Sequence, residues 1–276
     1  MYPVDQPSMD SELTSASINY LSSLESEPDH SDWFYLPTKS KVAITADNIK
    51  PMQLFNDKPG CILLTLHLPD EPLQAVALYL CGGWWHVNDV CEHPANLETV
   101  KSCIERVLVL VLSQLVDRSL GEEQLFLNHH PTENCKLLWI DGEAVGFYSF
   151  KLKGSLCEKC ISRCYELPVL DTIYVRGQCR RRGFGLLMLQ DFCQMFPNEE
   201  VLGISTPLST SMVSVCKKFL MQHKESRDVL YEVEAPGSWI QRRNIWLNIQ
   251  LGCYSQCKSS PTSVEVGLQD EGSDLF

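Results

Sequence analysis

The strongest restriction on the fold of this chain comes from residues 175–185, which read Val-Arg-Gly-Gln-Cys-Arg-Arg-Arg-Gly-Phe-Gly. Residues 170–175 are rich in β-branched and aromatic side chains, which predicts a strand. Residues 184–192 carry apolar side chains at helical spacing. Gly183 and Gly185 have no Cβ atom to keep a ligand from the backbone, and the first amides of a helix have no partner within it. The stretch therefore predicts a strand, a phosphate-binding turn and a helix.

A β-hairpin is predicted upstream, where two apolar runs, residues 135–141 and 143–151, flank the Asp141-Gly142 pair. Such a pair adopts the positive φ angles of a two-residue hairpin turn at little cost. Further predicted elements are helices over 97–117 and 211–220, and strands over 42–45, 62–67, 75–80, 201–205, 228–233 and 239–251. Strands that alternate with helices in this way are typical of an α/β or α+β fold.

Composition divides the chain into four parts. Residues 1–32 are polar and acidic without apolar periodicity, and residues 253–276 have the same character, so both are predicted to be disordered tails. Residues 33–95 form a β-rich N-terminal part. Residues 96–252 contain the hairpin, the phosphate-binding turn and the elements that follow it. No Ser- or Gly-rich linker separates the two middle parts, which favours one compact unit.

The phosphate-binding turn resembles that of the GNAT acetyltransferases. Arg180-x-x-Gly183-x-Gly185 has that family's Gln/Arg-x-x-Gly-x-Gly/Ala form, and it follows a strand ending in Val175 at the usual spacing. The stretch around Gly146 is similar to the family's second hairpin strand, and the predicted elements follow the family's order over about residues 75–250. The resemblance implies an α/β (α+β) fold with a GNAT-like central mixed, mostly antiparallel sheet flanked by helices, here with an N-terminal β-rich extension.

The same resemblance implies a co-substrate, acetyl-CoA, and transfer of its acetyl group to an amine of a protein or small molecule. Backbone amides of the turn would hold the pyrophosphate, and the preceding strand would line the pantetheine arm. The residues carried over for cofactor binding are Ile173, Val175, Arg180, Arg181, Arg182, Gly183, Phe184 and Gly185. Positioning the amine beside the thioester can alone supply much of the rate acceleration.

Proton transfer is the step for which the sequence leaves alternatives open. Asp171 and Glu166 are the carboxylates nearest the central strand and are candidate bases for the attacking ammonium, although a strand-edge Asp171 satisfied by backbone or solvent fits equally. The family often has a tyrosine in the helix after the next strand, and Cys216 fills that place here. Its thiol could protonate the departing CoA thiolate, or it could be a small buried apolar side chain. The latter implies a catalytically inactive, GNAT-like interaction module.

The whole chain also resembles a small vertebrate family of uncertain function that contains the soluble lamin-associated protein. The segments that carry this resemblance are Trp33-Phe34-Tyr35-Leu36-Pro37, Cys81-Gly82-Gly83-Trp84-Trp85 and residues 176–183. The resemblance implies a GNAT-like core without an established activity, a connection to the nucleus, and lamin as a protein partner.

Charge and cysteine content bear on the remaining classes of function. The formal net charge of −12 argues against general nucleic-acid binding, which needs a basic face. The 13 cysteines, without a visible secretory signal, predict free thiols in a reducing compartment, hence a nuclear or cytoplasmic location or both. The longest apolar run, residues 107–112, is too short to insert across a membrane. Cys157, Cys160 and Cys164 lack a second pair that would complete a four-ligand zinc site, so no metal is expected.

Overall fold

Alternating apolar and polar runs of the sequence become strands and helices in the computed structural model, which describes residues 10–26, 32–55, 61–72, 74–91, 98–100, 103–115, 133–157 and 162–255. The strands are β1 (Asp32–Tyr35), β2 (Lys41–Ile44), β3 (Ile49–Gln53), β4 (Ile62–His67), β5 (Ala75–Leu80), β6 (Gly83–His86), β7 (Glu98–Thr99), β8 (Asn134–Ile140), β9 (Glu143–Lys151), β10 (Val169–Val175), β11 (Leu202–Ser205), β12 (Leu230–Val233) and β13 (Arg242–Asn244). The helices are α1 (Asp10–Ser26), α2 (Val87–Val90), α3 (Cys103–Gln114), α4 (Phe184–Met195), α5 (Thr210–Gln222) and α6 (Ile245–Gln250).

A seven-stranded mixed sheet forms the larger half of the fold. Its strand order is β13-β12-β11-β10-β9-β8-β7, and β10, β11 and β12 are parallel to one another while the other neighbours are antiparallel. Helix α4 connects β10 to β11, and helix α5 connects β11 to β12. The mixed, mostly antiparallel sheet flanked by helices that the resemblance to the GNAT family implied is therefore confirmed.

The β8–β9 hairpin turns at the predicted Asp-Gly pair. Asp141 has φ 52° and Gly142 has φ 86°, the left-handed values that a two-residue hairpin turn requires. Further along β9, Gly146 lies so close to β10 that a Cβ atom there would overlap the carbonyl oxygen of Tyr174. Glycine at this position therefore allows β9 and β10 to pair up to the end of β10 at Val175.

One face of the seven-stranded sheet packs against α4, α5 and α6. The large buried side chains of this core are Tyr148, Phe150, Leu170, Met188, Leu189, Phe192, Phe219, Leu220, Leu230 and Ile245. Because successive strand residues point to opposite faces, Phe147 and Tyr174 lie on the other face, in a second core. Both faces are thus covered, and the helices after β10 and β11 are fixed on one side.

The N-terminal strands form a four-stranded antiparallel sheet in the order β3-β4-β5-β6, beside the separate β1–β2 pair. The side chains of Leu63 and Leu78 from this sheet belong to the same buried cluster as Phe147 of β9 and the whole apolar run of α3, residues 107–112. The core therefore continues across the boundary predicted between residues 95 and 96.

The prediction that residues 1–32 form a disordered tail is wrong for residues 10–26, which form α1. Helix α1 packs on β4 and β5 through Leu13, which is 3% exposed, with Ser17, Tyr20 and Leu24 following at helical spacing. The Tyr20 hydroxyl accepts a hydrogen bond from Trp84 Nε1 at 3.0 Å. The apolar stripe was missed because a small polar residue, Ser17, occupies one of its buried positions. Most of the predicted C-terminal tail, residues 256–276, lies outside the described residues.

Two other predicted elements differ from the structure. Residues 97–117 do not form one helix, because β7 precedes the shorter helix α3. Residues 239–251 do not form one strand, because the chain leaves the sheet after β13 and continues as α6. Asn244 caps α6 by accepting a hydrogen bond from Leu247 N at 2.8 Å, and such a cap starts a helix. In the part of the chain that the structure describes, no helix is long and apolar enough to cross a bilayer.

Candidate functional site

The central strands β10 and β11 separate from each other in the middle of the sheet. Their ladder consists of Val169 opposite Gly203 and Leu170 opposite Ile204 within the described residues. A bulge at Asp171 shifts the register of β10 against β9, after which β10 remains paired with β9 as far as Val175. Among the described residues, β10 is therefore not paired with β11 beyond Leu170, and an extended ligand can approach this edge of the strand.

The turn after β10 ends in the left-handed conformation that its glycine predicts. A short 3-10 helix at residues 177–179 follows the strand, and Arg181 has φ 62°. Gly183 begins α4 with φ 92° and ψ 0°, a conformation that costs most other residues about 1–2 kcal/mol. Gly183 has no side chain to cap the helix, so the amides of Phe184, Gly185 and Leu186 have no acceptor within it. These amides and the helix dipole form an anion-binding position.

Helix α5 lies directly opposite this turn. A Cβ atom on Gly185 would come within 3.3 Å of Val215 Cγ2, so the glycine allows the two helices to approach closely. On the strand side, Arg180 donates from Nε to the carbonyl oxygen of Val175 at 3.0 Å, which folds the turn back onto the end of β10. The turn, the end of β10 and α5 thus enclose a space between them.

This space is a cleft of about 930 Å³. Seven of the eight residues predicted to bind the cofactor line it: Ile173, Val175, Arg180, Arg181, Gly183, Phe184 and Gly185. The eighth, Arg182, is exposed beside the cleft, with its guanidinium carbon 5.3 Å from the centre of the Phe184 ring. The residues that the sequence did not identify are Tyr174, Cys179, Leu186, Ser209, Ser211, Met212, Ser214, Val215 and Lys218. Six of these come from α5 and its cap, because helical periodicity predicts a helix but not which of its residues will line a cleft.

The two candidate bases lie in different surroundings, and neither lines the cleft. Asp171 is partly exposed at the bulge where β10 and β11 separate, and its carboxylate accepts a hydrogen bond from Ser205 Oγ of β11. Glu166 is exposed before β10 and pairs with Arg242 Nη2 at 3.4 Å. Asp171 is therefore at the strand separation, whereas Glu166 belongs to a surface ion pair.

Cys216 lies on the core side of α5 and does not line the cleft. Its side chain has no exposed surface, and burial raises the pKa of the thiol from 9.0 to about 12, with smaller contributions from Cys193 and Glu232. A thiol buried in the apolar core does not reach a leaving group in the cleft. Of the two alternatives for Cys216, the structure supports the small buried side chain.

A buried carboxylate that the sequence did not single out fixes the loop between β11 and α5. Glu232 of β12 is 6% exposed and accepts hydrogen bonds from Thr206 Oγ1 at 2.9 Å and Leu208 N at 3.2 Å. Tyr254 donates a third from its hydroxyl at 2.9 Å, and burial raises the pKa of this phenol. These bonds determine where α5 begins and therefore the position of the far wall of the cleft.

Helix α4 is held in place by a second polar cluster. Asp191 accepts hydrogen bonds from the hydroxyl of Tyr148 and from Lys136 Nζ, the latter at 2.8 Å. Tyr148 has no exposed surface, and its burial raises the pKa of the phenol, so the hydroxyl remains a donor. These two bonds anchor α4 to β8 and β9 about two helical turns after Gly183.

The N-terminal part also supports the turn. Arg176 is 5% exposed, and its Nη2 donates to Asn88 Oδ1 of α2 at 3.1 Å while Nη1 lies 3.7 Å from a carboxylate oxygen of Glu143. Its backbone amide donates to the carbonyl oxygen of Val145 at 2.9 Å. Arg176 is thus a structural connection between the turn, the hairpin and α2 and does not face the cleft.

The cysteines considered as metal ligands do not form a site in the described residues. Cys157 is buried, Cys164 is exposed, and Cys160 lies outside the part of the chain that the structure describes. Among the described side chains, no group of three or more potential ligands is close enough to hold a metal ion.

The separated central strands, the glycine turn and the strand order together define a GNAT-like α+β protein. No protein-family model matches the chain. Protein FAM169B of Mus musculus is 38% identical over 262 residues, which cover 91% of this chain and 78% of that protein. Protein FAM169BP of Homo sapiens is 42% identical over 185 residues, which cover 64% of this chain and 92% of that protein. The chain belongs to the FAM169B family.

Two solved structures show a weak likeness. The xEco2 acetyltransferase domain bound to a CoA conjugate is 14% identical, with a TM-score of 0.32 over 47% of this chain and 90% of that chain. An integron cassette protein from the mobile metagenome of V. cholerae is also 14% identical, with a TM-score of 0.30 over 47% of this chain and 85% of that chain. At TM-scores this low, the likeness adds no weight to the strand order described above.

Proposed function

We propose that this protein binds acetyl-CoA in the cleft between β10, α4 and α5 and transfers the acetyl group to an amine. The observation that carries the proposal is the separation of β10 from β11 after Leu170, in line with a left-handed glycine turn at a helix N-terminus. A ligand with an extended amide-containing arm and a pyrophosphate needs these two features in this order. The pyrophosphate would accept hydrogen bonds from the amides of Phe184, Gly185 and Leu186, and the arm would pair with β10.

The proposed chemistry is direct transfer. Acetyl-CoA supplies a thioester whose acetyl group bonds to the amine nitrogen as the carbon–sulfur bond breaks and the thiolate leaves. The chain positions the two reactants, which is a large part of the acceleration in such reactions. Asp171, at the strand separation, is the residue proposed to take the proton from the ammonium, with Ser205 orienting its carboxylate. Once the bond to the acetyl carbon has formed, the nitrogen loses a second proton, which the departing thiolate takes up to give the free CoA thiol. Because the pKa of a thiol is near 8.5, this step needs little help from an acid such as Cys216.

One observation favours a second function, an acyl-CoA-binding module without turnover. None of Asp171, Glu166 and Cys216 lines the cleft, so binding does not by itself bring an acid or base to the ligand. In that case the protein, with acyl-CoA bound, would act by binding partner proteins. Lamin as a partner, and the nucleus or cytoplasm as the location, stay predictions.

Calorimetry and a transfer assay together decide between these functions. Acetyl-CoA and CoA are titrated into the full chain, and acetylation of peptide and polyamine pools is then followed by mass spectrometry. Binding together with turnover that Asp171→Asn abolishes supports the transferase. Binding without turnover supports the module, and the absence of binding at millimolar ligand refutes both.

A further inference from the structure

Positive charge is concentrated along the cleft although the chain as a whole is acidic. The formal net charge is −12, yet Arg180, Arg181 and Lys218 line the cleft. Among the described residues that line it, none carries a carboxylate. A site with this charge in an acidic protein attracts an anionic ligand and repels a cationic one. The amides at the start of α4 can bind one pyrophosphate, but they do not explain why Lys218 lines the opposite wall of the cleft.

The residues of α5 that face the cleft form one stripe along the helix. Ser211, Ser214, Val215 and Lys218 are spaced by three or four residues and all line the cleft. The stripe starts beside the end of β11, where the strands separate, and Val215 is the point at which α5 approaches Gly185. Lys218 lies one turn further, about 4.5 Å along the helix axis. It therefore lies beyond the pyrophosphate position, on the side away from the start of α5.

Lys218 is available to a ligand. It is exposed, and among the described residues it takes part in no hydrogen bond or ion pair. An ammonium group on a flexible four-carbon stem binds phosphate as a point charge. Lys217, the adjacent residue, is also exposed but does not line the cleft. The two lysines thus carry the same charge and lie on the same helix, but only Lys218 lines the cleft.

We propose that Lys218 forms a second anion subsite of the cleft, which binds a phosphate on the ribose of the nucleotide. This inference rests on the proposed function, because it takes the thioester end of the ligand to lie at the strand separation. The arm then runs along β10, the pyrophosphate lies at the turn, and the nucleotide reaches Lys218. The cleft is consequently selective for CoA, which carries a 3′-phosphate, over dephospho-CoA, which lacks it.

Calorimetric titration of the full chain with CoA and with dephospho-CoA tests this selectivity. The wild-type protein should bind CoA about tenfold more tightly than dephospho-CoA, a difference of about 1.4 kcal/mol in binding free energy. Lys218→Gln should reduce the ratio of the two Kd values to about two or less, mainly by weakening CoA binding. Lys217→Gln, the matched control, should leave the ratio near ten. The preference should also shrink as salt is raised, since exposed charges are screened.

Several results would overturn the subsite. Equal Kd values for the two ligands in the unchanged protein would show that the 3′-phosphate is not recognised, while leaving the proposed function intact. An equal loss of preference in both lysine variants would assign the effect to overall charge instead of to Lys218. If neither ligand binds, the proposed function fails and the subsite with it.

Discussion

Gly183 and Gly154 allow a matched test of the proposal that the turn before α4 binds a pyrophosphate. Both have left-handed backbone angles, φ 92° and 83°, and a Cβ atom added to either one meets no other atom within 4 Å. Replacing each with Glu therefore adds the same strain, about 1–2 kcal/mol, and the same charge. Gly183 lines the cleft, whereas Gly154 lies in the turn after β9 and does not. The variants Gly183→Glu and Gly154→Glu should thus lose similar stability without ligand.

The two variants should differ in their response to acetyl-CoA. A carboxylate held about 5 Å from a doubly charged pyrophosphate is repelled by about 1.7 kcal/mol even at the dielectric constant of water. This corresponds to roughly a twentyfold increase in Kd. Ligand present at about 100 times the original Kd stabilises the unchanged protein by about 2.7 kcal/mol, and this would fall to about 1.1 kcal/mol in Gly183→Glu.

Thermal unfolding with and without acetyl-CoA measures both effects. Each kcal/mol changes the Tm of a protein of this size by about 2–4 °C, so the ligand-induced shift should fall from about 5–11 °C to about 2–4 °C in Gly183→Glu. Gly154→Glu should retain the full shift. The reasoning is refuted if Gly183→Glu keeps the full shift, or if both variants lose it equally.

Three further predictions concern the scaffold around the cleft. Gly146→Ala should lower the free energy of unfolding in urea by about 1–3 kcal/mol, because its Cβ would overlap the backbone of β10. Gly83→Ala is the control, since only a side-chain atom 4.0 Å away meets the added carbon, and an equal loss in both variants would contradict the overlap. Tyr254→Phe should cost about 1 kcal/mol in the same titration by removing the hydrogen bond to Glu232, and an unchanged midpoint would argue against that bond. Burial raises the pKa of Cys216 from 9.0 to about 12, so the unfolded chain releases this proton first and stability falls as the pH rises above 9. In urea titrations under reducing conditions, Cys216→Ala should therefore lose about 1 kcal/mol less stability than the wild-type protein between pH 8 and pH 10, and equal losses would mean that the thiol is not buried.

Elements determined by local chemistry could be predicted from the sequence. The Asp141-Gly142 pair and Gly183 both occupy positions with positive φ, where few other residues are tolerated. The hairpin turn and the start of α4 therefore depend on a few residues that are adjacent in the sequence. Most of the residues proposed to bind the cofactor follow from this one turn.

The predictions that were wrong concern sequence patterns that fit more than one kind of secondary structure. Residues 239–251 contain apolar side chains at spacings that fit a strand or a helix, and the cap at Asn244 decided for a helix. The stripe on α1 is interrupted by Ser17, so an amphipathic helix resembled a polar tail. The α5 wall with Lys218 was missed for a different reason, because the packing of α5 against α4 depends on contacts far apart in sequence.

The burial of α3 affects the order in which the protein can fold. Its six central residues, 107–112, are each at most 4% exposed, so this part of the helix is covered on every side, partly by β8 and β9, which follow it in the chain. During synthesis this helix leaves the ribosome before residues 133–151 do, and one of its apolar flanks faces water for the seconds until those residues emerge. A protein built in this way depends on late, long-range contacts to protect an early hydrophobic segment. Expression at lower temperature or with added chaperones should therefore raise its soluble yield more than any change at the cleft.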